Sequence, residues 1–140
     1  YAFYNYDLLT SISEGEKLTS IGAYAFMNCD GLKNIVTHNK LETIEEKAFF
    51  GCPIEEIKIS ASVKNIEDQA FDGLTKLINI IVDSNNQNYT AIDGNLYSKD
   101  MTEFIQYAIG KTQTTFTMPA SVTNIRKNSF AGENELEELR

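Results

Sequence analysis

At 140 residues and 15.7 kDa the chain has the length of one domain or a piece of one, and its 42% hydrophobic and 23% charged residues belong to a folded protein rather than a disordered one. No apolar run approaches the ~20 residues of a membrane-spanning helix. A net charge of −8 argues against nucleic acid and anionic lipid as partners, one histidine against most hydrolytic constellations, and two cysteines against a disulfide scaffold or a structural zinc site.

The chain opens on Tyr1-Ala2-Phe3, with neither an initiator Met nor a leader pattern, and closes on Glu137-Glu138-Leu139-Arg140 in mid-repeat. It reads as a segment of a longer protein. The dipeptide Ala2-Phe3 returns as Ala25-Phe26, Ala48-Phe49 and Ala70-Phe71, then as Ser129-Phe130, with phenylalanine steps of 23, 23, 22 and 59 residues. Five residues before the last four phenylalanines stand Ile21, Ile44, Ile66 and Ile125, and three before those stand Leu18, Leu41, Val63 and Val122. Phe plus three gives Tyr6, Cys29, Cys52 and Leu74. Phe plus six gives Leu9, Leu32, Leu77 and Leu136, and Phe plus nine gives Ile12, Ile35, Ile80 and Leu139; the third copy runs one residue short, with Ile54 and Ile57 in these roles. A fixed period in the ~20–29 range on an aliphatic skeleton is the signature of a leucine-rich solenoid.

Phe plus two is Asn5, Asn28, Gly51, Gly73 or Gly132, residues that tolerate a left-handed backbone. The runs before it, such as 45–49, favour a helical turn, so each Ala-Phe unit is expected to be a short helix closed by a left-handed C-terminal cap. Two extended stretches complete each coil. One is Leu-x-x-Ile-x-(Ile/Val), as in 54–59 and 77–82, whose last four residues alternate like a half-buried strand; the other is Leu/Val-x-x-Ile-x, as in 41–45. Stacked at ~4.8 Å, identical positions meet as ladders of Leu, Ile and Phe, so repetition itself builds the core.

From Asp83 to Met118 the pattern lapses into turns and short strands. Asp93-Gly94 between Ile92 and Leu96 is a hairpin signal, and Ser98-Lys99-Asp100 and Gly110-Lys111-Thr112 punctuate the runs 104–107 and 116–118. This segment is expected to be a β-meander of three or four strands, inserted as an enlarged repeat. At Pro119-Ala120-Ser121-Val122-Thr123-Asn124-Ile125 the pattern resumes, matching 60–66 at all but two of seven positions. The organisation is therefore leucine-rich repeats over 1–82, an irregular meander over 83–118, and a resumed, truncated repeat over 119–140.

The Ala-Phe units, cysteine at Phe plus three, Leu-x-x-Ile-x-Ile and Met118-Pro119-x-x-Val122-x-x-Ile125 together resemble the BspA-type (Treponema-type) leucine-rich repeats. The stretches 85–89, 92–100 and 110–112 resemble the irregular segment of bacterial members. The resemblance implies a leucine-rich-repeat solenoid: a right-handed superhelix of short parallel strands and short helical turns with an inserted β-meander. It further implies a cell-surface or secreted protein of host-associated bacteria or protist parasites, used in adhesion or protein binding, with no catalytic centre and no cofactor. Ala108, where proline is frequent, and Glu133, in the buried Phe-plus-three slot, depart from the family pattern.

Chemistry-bearing residues are few. Cys29 and Cys52 occupy the same slot in neighbouring coils, within disulfide range, yet parallel side chains and the apolar Leu74 in that slot favour stacked, reduced thiols. Gly110-Lys111-Thr112 lacks the first glycine of a phosphate loop, where Ile105 stands. Asp83-x-Asn85-x-Gln87 fails as a calcium loop, because Asn88 and Gly94 replace the required Gly and Glu. His38 has no second His or Cys to share a metal, and Asn88-Tyr89-Thr90 is a glycosylation sequon only in a secreting eukaryote. Glu42, Glu45, Glu46, Glu55, Glu56 and Glu67 read as a solvated acidic face rather than paired glycosidase acids.

No catalytic, metal or cofactor site is therefore expected, and surface geometry remains. Outward positions on the Leu-x-x-Ile-x-Ile strands are Ser11 and Ser13, Asn34 and Val36, Glu56 and Lys58, Asn79 and Ile81. Val36 and Ile81 are apolar where a solvated strand is normally polar, which marks Asn34, Val36, Glu56, Lys58, Asn79 and Ile81 as the partner-binding candidate. The expected partner is a protein, of host extracellular or surface origin by the resemblance. The rival readings are a spacer projecting another domain, and a glycoside hydrolase with two facing carboxylates where the meander meets the solenoid.

Overall fold

The computed structural model describes residues 18–140. The first repeat, with Phe3, Tyr6, Leu9, Ile12 and the outward Ser11 and Ser13, lies outside them. Twelve short strands follow one another: β1 (Ser20–Ile21), β2 (Asn34–Val36), β3 (Thr43–Ile44), β4 (Glu56–Ile59), β5 (Asn65–Ile66) and β6 (Asn79–Val82). Next come β7 (Tyr89–Ile92), β8 (Asn95–Ser98), β9 (Glu103–Gln106), β10 (Thr115–Phe116), β11 (Asn124–Ile125) and β12 (Glu138–Leu139).

The repeat dictates how they pair. Each Leu/Val-x-x-Ile-x stretch supplies two residues to a parallel sheet β1-β3-β5, with Ile21, Ile44 and Ile66 in register. Each longer stretch joins a second parallel sheet β2-β4-β6, where Ile35, Ile57 and Ile80 are level. Between the two sheets, Leu32, Leu41, Ile44, Ile54, Ile57, Ile66, Leu74 and Leu77 are wholly buried. Each such side chain contributes about 1.5–3 kcal/mol on leaving water. The described residues thus form a β-solenoid of stacked coils, and the Phe26 and Phe49 rings stack across neighbouring coils at 5.6 Å and 11°.

The turns between the sheets differ from expectation: among the described residues there is no helix. Asn28, Gly51, Gly73 and Gly132 do have left-handed backbones, with φ of 58°, 80°, 73° and 88°. However, Phe minus two is left-handed as well: Tyr24, Lys47, Gln69 and Asn128 have φ of 58°, 51°, 67° and 61°. A helix cannot contain that residue. The amides go sideways instead. Tyr24, Phe26 and Asn28 N–H donate to the carbonyls of Glu46, Ala48 and Phe50 in the next coil, at 3.3, 2.8 and 2.8 Å. Alternate amides thus join rungs, while those between them, on Ala25, Met27 and Cys29, close tight turns on the carbonyls of Gly22, Tyr24 and Phe26.

After β6 the stack is interrupted. β7 pairs antiparallel with β8, and β8 with β9. Asp93 and Gly94, with φ of 53° and 81°, make the two-residue turn of the first hairpin, and Met101, with φ of 62°, closes the second. β9 then accepts β11 as a parallel neighbour, and β10 pairs in parallel with β12, so residues 115–116 already belong to a stacked pair. A second core lies here. Phe104 stacks on Phe130 at 5.0 Å and meets the edge of Tyr97 at 5.0 Å, while Tyr107 stacks on Phe130 at 5.1 Å and packs against Phe116.

The interruption leaves β5 with an unpaired edge, which side chains satisfy. Ile66 N–H donates to the Tyr89 hydroxyl at 2.8 Å, and the Arg126 guanidinium donates to the Ile66 carbonyl. Arg126 also pairs with Glu103 at 2.6 Å and approaches Asp68 at 3.5 Å. In the last coil the expected ladder is not closed: Ile125 and Leu139 are 52% and 54% exposed, because β11 and β12 are edge strands of their sheets. Glu133 caps the turn through Oε1, which accepts from the amides of Glu135 and Leu136, while its Oε2 is buried without a hydrogen-bond partner.

Candidate functional site

The outer face of sheet β2-β4-β6 gathers the six candidate residues into two rows. Register places Asn34, Glu56 and Asn79 level, and Val36, Lys58 and Ile81 level two residues on. The alternation that buries Ile35, Ile57 and Ile80 forces their neighbours outward. Val36 is 47% and Ile81 39% exposed, with Lys58 exposed between them. The lower row is partly tied up: Asn79 Nδ2 donates to Glu56 Oε2 at 3.1 Å.

Above these rows the sequence reading missed a polar margin. Thr37 Oγ1 accepts from Ser60 N–H at 2.7 Å and lies 3.1 Å from Ser60 Oγ, while Ser62 Oγ donates to the Leu41 carbonyl at 2.6 Å. Asn86, fully buried, donates to the carbonyls of Ser60 and Val63 and accepts from the amides of Asn88 and Tyr89. Thr37 and Ser60 stand 23 residues apart, one repeat, so a polar pair at equal offset was the available signal. Together Val36, Thr37, Asn39, Lys58, Ser60, Ile81 and Asp83 enclose a shallow depression of about 250 Å³. That is below the ~300–1,000 Å³ of small-molecule sites.

The remaining candidates resolve into structure. Cys29 and Cys52 are free thiols buried in the solenoid core; Cys52 Sγ donates to the Phe26 carbonyl at 2.9 Å, and burial pushes its pKa up to about 12. Lys111 Nζ bonds the Asp93 carbonyl and lies 5.6 Å over the Tyr107 ring; burial lowers its pKa, and nearby Asp93 opposes the shift. Asp83 Oδ1 accepts the Asn85 amide at 2.8 Å, a local turn. His38 offers its carbonyl to Ser60 and Ser62. Where the inserted strands meet the solenoid, Asp68 and Glu103 face a shared guanidinium, and the three form a strut between coils. Among the described residues no group of three His, Cys, Asp or Glu side chains is placed to hold a metal ion.

With this geometry in view, comparison with known proteins decides the family. The profile of the BspA type leucine rich repeat region matches residues 1–107 and 106–140, in six copies. The chain belongs to the BspA-type leucine-rich-repeat family. No curated protein sequence matches it. Among solved structures, the pneumococcal vaccine antigen PcpA superposes with a TM-score of 0.81 at 29% identity, over 87% of this chain and 31% of that one. A leucine-rich cell surface protein of Faecalibacterium prausnitzii gives 0.83 at 24% identity, over 99% and 43%. A leucine-rich repeat protein of Eubacterium ventriosum gives 0.66 at 22% identity, over 86% and 44%, and these last two speak to the fold alone. The chain spans between 31% and 44% of the lengths of these proteins. This BspA-type domain is thus a leucine-rich-repeat unit similar to a vaccine antigen, and among the described residues no helix is long and apolar enough to cross a membrane.

Proposed function

We propose that this BspA-type domain is a non-catalytic binding module of a cell-surface or secreted protein, and that it presents the outer face of sheet β2-β4-β6 to a protein partner. One observation carries the reading: Val36 and Ile81 stand out of a solvated sheet on either side of Lys58, where most outward positions are polar. The depression they border is too shallow to enclose a small substrate and suits side chains offered by another protein surface. The likeness to PcpA and the family membership support an exposed location and a role in adhesion to host extracellular or surface proteins. The acidic surface disfavours nucleic acid, and no cofactor enters the reading.

The test is surface plasmon resonance against an array of purified host extracellular proteins, using the wild type, Val36→Glu, Lys58→Glu and Ile81→Glu. A bound protein whose affinity falls at least about tenfold in two of the three variants supports the reading, as buried contacts of this type are worth over 1 kcal/mol. If every bound protein tolerates all three, the domain is a spacer that projects another part of its parent chain.

A further inference from the structure

Lys58 is the one base among the six residues of the exposed face, and it makes no ion pair there. It lies on β4 between Val36 and Ile81, which the ~4.8 Å strand spacing sets about 10 Å apart. Glu56, two residues along the same face, and Asp83, at the margin of the depression, accept from the Asn79 side chain and the Asn85 amide, and neither forms an ion pair with Lys58. Among the described residues, Lys58 makes no ion pair, although the whole chain carries eight more acids than bases. The two serine and threonine hydroxyls at the margin, on Thr37 and Ser60, are satisfied by one another and by backbone. The face thus offers one free cation set between two aliphatic side chains. Its complement is a carboxylate flanked by apolar groups.

We infer that the partner segment docking on β2-β4-β6 is an acidic, apolar stretch of protein, with an Asp or Glu carboxylate placed on Lys58 and aliphatic side chains against Val36 and Ile81. This rests on the binding role proposed above and names the chemistry of the partner. A carboxylate–ammonium contact walled by aliphatic groups is partly desolvated, and so worth more than the same pair in open water. The aliphatic flanks supply area, and the lysine fixes register.

The experiment is panning of a random-peptide phage library against the whole domain, in parallel with Lys58→Glu and with Val36→Ser/Ile81→Ser. The wild type is expected to enrich peptides carrying Asp or Glu with Leu, Ile or Val within two residues. Lys58→Glu is expected to enrich Lys or Arg in the acidic position, and the double serine variant to enrich neither. For a synthetic copy of the leading peptide, changing its acid to the amide should weaken binding to the wild type about five- to tenfold by fluorescence anisotropy, with little effect on binding to Lys58→Glu. Enrichment without an acidic preference, no enrichment at all, or an amide peptide that binds as well as the acid overturns the inference. The two readings fail differently. A host protein that senses Val36 and Ile81 but is indifferent to the sign at position 58 leaves the binding face standing and removes the acidic partner; indifference to all three removes both.

Discussion

Gly110 offers the sharpest test of the stacked-coil architecture. Its N–H donates to the Leu77 carbonyl at 2.7 Å, holding the shortened turn after β9 against the coil before it. A β-carbon at this position would lie 2.4 Å from the Lys76 carbonyl carbon, 2.6 Å from its oxygen and 2.7 Å from Leu77 N. These are backbone atoms of a buried rung, which cannot swing aside. Gly110→Ala must therefore part the two coils, at about 1–3 kcal/mol for overpacking and about 1 kcal/mol for the disturbed hydrogen bond. A loss of about 2–4 kcal/mol is large against the ~5–15 kcal/mol of a typical domain. The readout is urea denaturation followed by far-ultraviolet circular dichroism, and a melting temperature lower by about 6–12 °C. Gly22→Ala is the control, because its β-carbon would meet only Glu45 Oε2, at 3.8 Å, and it should fall within about 0.5 kcal/mol of the wild type. Equal stability of Gly110→Ala and wild type, or equal cost of the two variants, refutes the coil contact.

Further expectations concern the cap, the buried asparagine, the strut and the thiol. Gly73→Val adds strain at φ 73° and drives a β-carbon to 2.7 Å from the Phe50 ring, so chemical denaturation should show a loss of about 2–3 kcal/mol. Asn86→Ala removes four hydrogen bonds, to the Ser60 and Val63 carbonyls and from the Asn88 and Tyr89 amides, and should cost about 2–4 kcal/mol, with hydrogen exchange at the Asn88 and Tyr89 amides accelerated before that of β4. Arg126→Met keeps the aliphatic stem but removes the strut; β5 amide exchange should quicken while β2 is unchanged, and a uniform effect on both would contradict local bridging. The Cys52 thiol, held near 12 by burial, is neutral in the folded state while the unfolded thiol ionises from about pH 9. Its stabilising effect is complete below pH 9 and is lost as pH rises towards 12, so Cys52→Ala should flatten the alkaline fall in stability measured across that window.

Much of the solenoid was legible because the period is written in side chains that meet their own copies. Ile21, Ile44 and Ile66 share an offset in the chain and a register in β1-β3-β5, and the Asn or Gly at Phe plus two reports the left-handed backbone directly. Tyr24, Lys47 and Gln69 gave no such warning. Their left-handed backbone goes with bonding between coils rather than with residue type, Tyr24 and Lys47 donating to the carbonyls of Glu46 and Gln69, and a run such as 45–49 has good helical propensity in isolation. The strut was equally hidden, because Arg126 reaches Ile66 across sixty residues and no local pattern marks that contact. Exposure of Ile125 follows from the edge position of β11, a property of the stack rather than of the repeat. The candidate face was readable as alternation on single strands; its polar margin was not, since Thr37, Ser60 and Asn86 meet only once three coils are assembled.

The side-chain closure of the β5 edge has a consequence for how such arrays change length. Duplicating or deleting the coil that holds β3 and β4 reproduces every kind of contact found there, since its neighbours on both sides present the same offsets. The rung bearing β5 admits no such editing. Tyr89 and Arg126 lock it to one particular successor, so a splice on its far side leaves the Ile66 amide and carbonyl bare. Growth and loss of modules are thereby steered to the regular half of the stack, and the joint at Ile66 is inherited whole.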